Sequence, residues 1–155
     1  MLPTIRLAGP TFFGPVVEAF NQYARDTGQA NMYHILLILT DGAIHDMSRV
    51  KKLIVDASVL PTSVVIVGVG ESEELELMEE LDSDNQLLTD DDGRPAARDI
   101  VQFVRFNEAI RKGNLAEEVL REIPEQLCLY MEHVGFRPTI ISNAPAPMPA
   151  MPTAM

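Results

Sequence analysis

The segment His34-Ile35-Leu36-Leu37-Ile38-Leu39-Thr40-Asp41-Gly42 decides the fold of this 155-residue chain. Its five central residues are all apolar and do not alternate with polar ones, and the run ends abruptly at Thr40-Asp41-Gly42. A short, continuous apolar run of this kind is typical of a strand that is covered on both faces, as in a parallel sheet. We therefore predict a fully buried strand over residues 35–39.

Two further runs extend this pattern. Residues 63–69 are rich in β-branched side chains and end at Gly70, and residues 99–104 form a third candidate strand. A helix is predicted over about residues 15–26, and apolar residues recur at helical spacing after each of the three runs. These later stripes are Val50, Leu53, Ile54 and Ala57; Leu75, Met78 and Leu81; and Val119, Leu120, Ile123, Leu127, Met131 and Val134.

The alternation of helices and strands predicts an α/β protein with a partial doubly wound, Rossmann-like parallel sheet and flanking helices. Three strands are fewer than the roughly five or six of an average sheet. Asn114 and Glu117 have the spacing of a capping box at the start of the last helical segment, and Pro124 inside that segment predicts a kink or a restart. Residues 138–155 are rich in Pro, Ala and Met, which predicts a disordered tail after a domain over residues 1–137.

Composition excludes several classes of protein. Hydrophobic residues make up 46% of the chain and charged residues 23%, which is ordinary for a globular domain. No apolar run is longer than five residues, so no segment is expected to span a bilayer. The single cysteine, Cys128, excludes an internal disulfide and a multi-cysteine zinc site. No secretory signal is visible, and a cytoplasmic location is the expectation.

The charge is concentrated in one segment. Residues 71–92 contain eleven acidic side chains and no basic one, in a chain of net charge −11. Such a segment repels a phosphate backbone, so we expect no nucleic-acid binding. Because Leu87 stands where a calcium loop beginning at Asp82 requires glycine, we expect the segment to be a solvated surface and not a specific calcium site.

Asp41 is the sharpest candidate for chemistry. Ligands of doubly wound sheets bind beyond the carboxyl ends of the strands, and a carboxylate there suits a hard cation such as Mg²⁺ or Ca²⁺. The alternative is that Asp41 only begins a turn. Phosphate-loop and nucleophile-elbow motifs are absent, and the expectation is that the chain is not an enzyme. Cys128 is expected in or near the core, and His34 is expected to be structural.

At five places, in order, the sequence resembles the copine family. The segments are Gly9-Pro10-Thr11-Phe12-Phe13, residues 34–42, residues 60–70, Arg98-Asp99-Ile100-Val101-Gln102-Phe103-Val104, and Ile123-Pro124-Glu125-Gln126-Leu127. The resemblance implies the C-terminal part of a von Willebrand factor A-like domain that lacks its N-terminal strands. It also implies calcium-dependent phospholipid binding, with roles in membrane trafficking and signalling and with plasma-membrane association of the full-length family, through domains absent from these residues.

The resemblance further implies a metal-ion-dependent adhesion site. Residue by residue, the family's threonine ligand matches Thr11 and its aspartate matches Asp41, and a partner's carboxylate would fill an open position. The family's DxSxS loop is absent, and Phe12 replaces the asparagine that follows the threonine. The expected cofactor is therefore a weakly held Mg²⁺ or Ca²⁺, since only two protein ligands remain.

Three readings of function follow from these observations. The first is a non-enzymatic protein-interaction module that meets protein partners at the top of the sheet. The second is a truncated or degenerate fragment without independent activity, and the third is a nucleotide- or hydrolase-type enzyme on the same fold. Because the family's first strand would lie beside residues 35–39 and is absent, we expect a marginally stable chain that either self-associates through this strand or needs its missing half.

Overall fold

The computed structural model describes residues 10–27, 32–42, 44–71, 75–82 and 86–136. The predicted tail over residues 138–155 lies outside them. In chain order the elements are α1 (Gly14–Thr27), β1 (His34–Thr40), α2 (Met47–Ala57), β2 (Thr62–Gly68), α3 (Glu76–Glu79), β3 (Val101–Arg105), α4 (Phe106–Lys112), α5 (Leu115–Leu120) and α6 (Ile123–His133).

The three strands form one parallel sheet in the order β1-β2-β3. Helices follow each strand, so the predicted α/β class with an open parallel sheet is confirmed. Every residue of β2 is buried, as expected for a central strand whose faces are both covered. The chain then reaches β3 by way of α3 and a short excursion that turns at Gly93, which has a φ of 80°.

The larger core lies on the face of the sheet that packs against α1, α2 and α3. Val17, Val50 and Ile54 are each 1% exposed, and the predicted stripe Leu75, Met78 and Leu81 is fully buried. The helix α3 is only four residues long, yet Met78 within it and Leu75 and Leu81 on either side of it all lie in the core. Here the helical spacing of apolar residues identified the buried face correctly.

The prediction that β1 is covered on both faces is wrong. Along β1, burial alternates: Leu36 and Ile38 pack against the core, whereas Ile35, Leu37 and Leu39 are 48%, 55% and 68% exposed. In the described residues β1 has only one neighbour, β2, and therefore forms an edge of the sheet. A continuous apolar run indicates only that a strand can be buried, because coverage depends on what packs against it.

The last helical region differs from its predicted pattern in burial. Of the two predicted outcomes at Pro124, a kink or a restart, the restart is observed: Pro124 lies in the first turn of α6, where its missing N–H costs nothing. Of the predicted apolar stripe, Leu120 and Val134 are more than half exposed, and Cys128, expected near the core, is exposed. The buried residue of α6 is polar: Gln126 is 2% exposed.

Gln126 attaches α6 to the sheet through hydrogen bonds. Its side-chain oxygen accepts a 2.6 Å bond from the hydroxyl of Ser63 on β2, and its amide nitrogen donates to the carbonyl of Val101 on β3 at 3.4 Å. Its backbone carbonyl accepts from the guanidinium of Arg98 at 3.2 Å. The packing of α6 on β2 and β3 thus depends on a buried polar network more than on an apolar stripe.

We expect Gln126→Leu to lower the free energy of unfolding by about 1–3 kcal/mol, because the hydroxyl of Ser63 and the carbonyl of Val101 would remain buried without this partner. Urea unfolding followed by circular dichroism measures the change. The matched control is Gln22→Leu on α1, since Gln22 is exposed and bonds only to the surface residue Asp26 in the described structure. Equal effects of the two substitutions would contradict the role assigned to Gln126.

Candidate metal and interaction site

The candidate site begins where β1 ends. The hydroxyl of Thr40 is 3.2 Å from the carbonyl of Gly42, to which it donates, and 3.4 Å from the backbone N–H of Gly42, from which it accepts. The carbonyl of Thr40 accepts from the backbone N–H of Val69, so the sheet ladder continues to this point. These bonds fold the chain into a bend at Asp41, whose side chain is exposed beyond the carboxyl end of the strand.

The segment that carries Thr11 is fastened to the loop after Asp41. The backbone N–H of Thr11 donates to Nδ1 of His45 at 3.1 Å, and the backbone N–H of His45 donates to the carbonyl of Thr11 at 3.0 Å. The ring of Phe12 lies edge-on to that of His45, with centroids 6.4 Å apart. This arrangement joins the two loops that carry the predicted ligands, Thr11 and Asp41.

Asp46 strengthens the same junction in a way that the sequence did not suggest. Although Asp46 stands at the N-cap position of α2, its carboxylate makes no side-chain cap bond there. It accepts instead from the backbone N–H groups of Phe13 and Gly14, at 2.9 and 2.8 Å, and thereby caps the first turn of α1. The close approach leaves no room for a larger residue, since a Cβ on Gly14 would lie 2.5 Å from the Asp46 carboxylate.

The donor set at this site fits a hard cation. A threonine hydroxyl and an aspartate carboxylate are oxygen ligands of the kind that Mg²⁺ and Ca²⁺ prefer, and both residues are exposed. Among the described residues, no second carboxylate, histidine or thiol joins Asp41 in a group of three close enough to share one ion. A cation held here by Thr11 and Asp41 would therefore keep most of its water.

A different acidic group was not predicted. Oxygens of Asp82, Asp99 and Glu122 lie within 4.8 Å of one another. No local pattern in the sequence indicates this group, because its members come from three separated parts of the chain. The carboxylate of Asp82 accepts from the backbone N–H of Phe103 at 2.8 Å, and that of Asp99 accepts from the N–H of Val101 at 3.1 Å. Two of the three carboxylates thus bond to the backbone of the edge strand β3.

The prediction that the whole acidic segment is solvated surface is wrong at Asp90. This residue is 5% exposed, and its carboxylate accepts from the backbone N–H groups of Asp92 and Arg94 at 3.1 and 2.8 Å. The guanidinium of Arg94 lies 2.7 Å from the same carboxylate and 3.1 Å from that of Asp56 on α2. Asp90 organises a turn and ties it to α2, whereas Asp91 and Asp92 are exposed as predicted.

His34, which was expected to be structural, contacts α1. Nε2 of His34 lies 3.0 Å from the hydroxyl of Thr27, and its ring meets that of Tyr23 edge-on.

A cavity of about 290 Å³ beside β3 and α4 is lined largely by charged residues, and several of them are already paired: Arg105 with Glu79, and Lys112 and Arg121 with Glu118. None of the helices in the described residues has the length and apolar character needed to cross a membrane.

Comparison with known proteins finds one matching family model and similar curated relatives. A family model described as Copine matches residues 1–139. Two curated relatives are both named nicotinic receptor-associated protein 1; the protein of Caenorhabditis briggsae is 44% identical and that of Caenorhabditis elegans 45% identical, each over 155 aligned residues. The alignments cover 92% of this chain and 24% of each relative, so the chain spans about a quarter of the length of these relatives.

Asp90 allows a pH test of the acidic turn. Burial would raise the pKa of its carboxyl group, but the bonds from Arg94 and from the N–H of Asp92 hold that pKa below its ordinary value of 3.8. A carboxyl whose pKa is lowered by folding contributes stability above its unfolded pKa and loses it as the pH falls through the folded value. We expect Asp90→Asn to lower the urea midpoint at about pH 7, and this deficit to shrink below about pH 4.

The control is Asp92→Asn, which removes the same charge from an exposed side chain of the same turn. It should leave the urea midpoint almost unchanged at both pH values, because an exposed ion pair such as Asp92 with Lys52 contributes little. A deficit of Asp90→Asn that stays constant down to about pH 2 would contradict the lowered pKa.

Proposed function

The chain belongs to the copine family, and from that premise we propose that it is a non-enzymatic protein-interaction module. The proposed contact surface is the carboxyl edge of the sheet, where Thr11 and Asp41 retain part of a metal-ion-dependent adhesion site. The observation that supports this proposal best is the bonding of the Thr11 segment to the loop that follows Asp41, through His45 and Asp46. It keeps two otherwise separate loops at one end of the sheet.

The ion would supply one kind of chemistry: an open coordination position that accepts an oxygen of a partner's carboxylate. The protein's own contribution is to present the hydroxyl of Thr11 and the carboxylate of Asp41 on anchored loops. The bend at Thr40 and Gly42 fixes the backbone at Asp41, and α1 fixes the end of the Thr11 segment. Ordered loops lose less conformational entropy when a partner binds, which favours recognition.

The name of the curated relatives, nicotinic receptor-associated protein, describes an association between proteins and agrees with an interaction role. The calcium-dependent phospholipid binding that the family resemblance implies is proposed for the full-length proteins, since this chain spans about a quarter of its relatives. The second candidate is a fragment without independent activity. The shortage of ligands at Asp41 favours that alternative, because no group of three potential metal ligands among the described residues includes Asp41.

We expect titration calorimetry with Mg²⁺ and Ca²⁺ to reveal weak binding, with a dissociation constant above about 100 µM, since two protein ligands leave the ion largely hydrated. Asp41→Asn should abolish the heat signal, and Thr11→Val should weaken it. Asp91→Asn, which removes another exposed carboxylate outside the Thr11 and Asp41 segments, is the matched control and should bind as the unaltered chain does. Binding that is insensitive to Asp41→Asn would refute the ligand assignment, and submicromolar binding would refute its weakness.

The interaction role has its own test. Immobilised chain is incubated with a library of carboxylate-containing peptides in the presence of Mg²⁺ and again with a chelator. We expect capture that is lost with the chelator and with Asp41→Asn but kept with Asp91→Asn. Capture that does not depend on Asp41, or turnover of nucleotide or ester substrates by the same preparation, would contradict the proposal.

A further inference from the structure

The excursion between α3 and β3 is a small hairpin over residues 88–96, here called the acidic hairpin, and it presents one hydroxyl group to solvent. Its two arms meet at Thr89 and Pro95, which form an isolated antiparallel bridge. Side chains of an extended segment alternate between its two faces. Leu88 and Asp90 are buried, at 7% and 5% exposure, so the side chain of Thr89 points to the opposite face, where it is exposed.

The backbone of Thr89 is also turned outward. On either side of the bridge, the backbone N–H of Ala96 donates to the carbonyl of Leu88, and that of Asp90 donates to the carbonyl of Arg94. Because these two bonds flank Thr89, its own N–H and C=O point away from the other arm of the hairpin. Its hydroxyl makes one long bond, 3.4 Å to a backbone carbonyl, which an exposed group loses at little cost.

Carboxylates follow this hydroxyl group at three successive positions. Thr89 is followed by Asp90, Asp91 and Asp92, of which Asp91 and Asp92 are exposed. Among the Ser and Thr residues that the structure describes, no other is followed by three acidic residues in a row. A protein kinase whose substrate groove carries Arg and Lys recognises such a pattern, since these side chains bind carboxylates and charge patterns set the substrate choice of kinases.

We propose that Thr89 is a phosphorylation site for an acid-directed Ser/Thr protein kinase, with ATP as the phosphoryl donor. In this step Oγ1 of Thr89 forms a bond to the γ-phosphorus, and the bond from that phosphorus to the β,γ-bridging oxygen breaks. The hydroxyl proton passes to the catalytic base of the kinase, and ADP leaves. The exposed carboxylates of Asp91 and Asp92 hold the hairpin in the basic groove.

The fold accommodates a phosphate at this position. The buried carboxylate of Asp90 and its bonds to Arg94 lie on the inward face of the hairpin, whereas the phosphate is added on the outward face. The phosphate carries a charge of about −1.5 to −2 at pH 7, next to carboxylates that are exposed to water and salt. Because solvent screens repulsion between exposed charges, we expect modification to change the surface charge of the hairpin and to leave the urea midpoint almost unchanged.

Incubation of the 155-residue chain with ATP, Mg²⁺ and a recombinant acid-directed kinase tests the proposal, with phosphate located by mass spectrometry of peptide fragments. We expect phosphate on Thr89, and none there with a base-directed kinase. Asp92→Asn should lower kcat/KM for Thr89 at least about tenfold, because it removes the carboxylate three residues after the acceptor. Glu132→Gln, which removes an exposed carboxylate from α6, is the matched control and should leave kcat/KM unchanged.

A synthetic peptide of residues 86–96 checks that the kinase preparation is active. A folded chain that carries no phosphate on Thr89, under conditions in which the peptide is phosphorylated, would overturn the proposal. Equal values of kcat/KM for Asp92→Asn and Glu132→Gln would also overturn it, because recognition would then not depend on the acidic hairpin. Urea unfolding of each variant before the assay checks that the variants are equally folded.

Discussion

The rest of the structure depends on Arg98, a cation that is 5% exposed. Its guanidinium donates to the carbonyls of Leu60 and Thr62, at 2.6 and 2.8 Å, and to that of Gln126 at 3.2 Å. It also lies within 6 Å of the ring centroids of Tyr33 and Tyr130, where the ring faces attract a cation. One side chain therefore connects the segment before β1, the start of β2 and α6. A planar group with five donors suits this role better than lysine would.

The polar groups at the two ends of the sheet differ: those at the amino end are buried, and those at the carboxyl end are exposed. At the amino end, Arg98, Gln126 and Ser63 form a buried network that fixes α6 to the strands. At the carboxyl end, the polar groups of Thr11 and Asp41 are exposed on loops, although Asp46 and the bend after β1 anchor the backbone of those loops. Binding proteins commonly carry their binding residues on exposed loops that a well-packed scaffold holds in place. Here the loops lie at the carboxyl end of the sheet, and the buried network lies at the amino end.

The two edges of the sheet also differ from each other, in how their backbone N–H and C=O groups are covered. Carboxylates occupy the outward N–H groups of Val101 and Phe103 on β3, the strand at that edge of the described sheet. On the other side β1 exposes Ile35, Leu37 and Leu39 together with backbone groups. Both observations concern the described part of a chain that spans about a quarter of its curated relatives. Within the described residues, β1 is therefore the less protected of the two edges.

The sequence by itself determined the order of helices and strands, the parallel class of the sheet, the buried stripe of α3 and the restart at Pro124, since these follow from local periodicity and from the missing N–H of proline. It also indicated the two candidate ligands, because a motif shared with a family is local in sequence. Only the tertiary structure decided that β1 is half exposed, that Asp90 is buried and that Asp46 caps α1 in place of its own helix. It also decided that Gln126, more than the apolar stripe, attaches α6 to the sheet. The physical reason is that burial and hydrogen-bond partners are set by distant segments, and a residue's own neighbours in sequence do not encode which segment will pack against it.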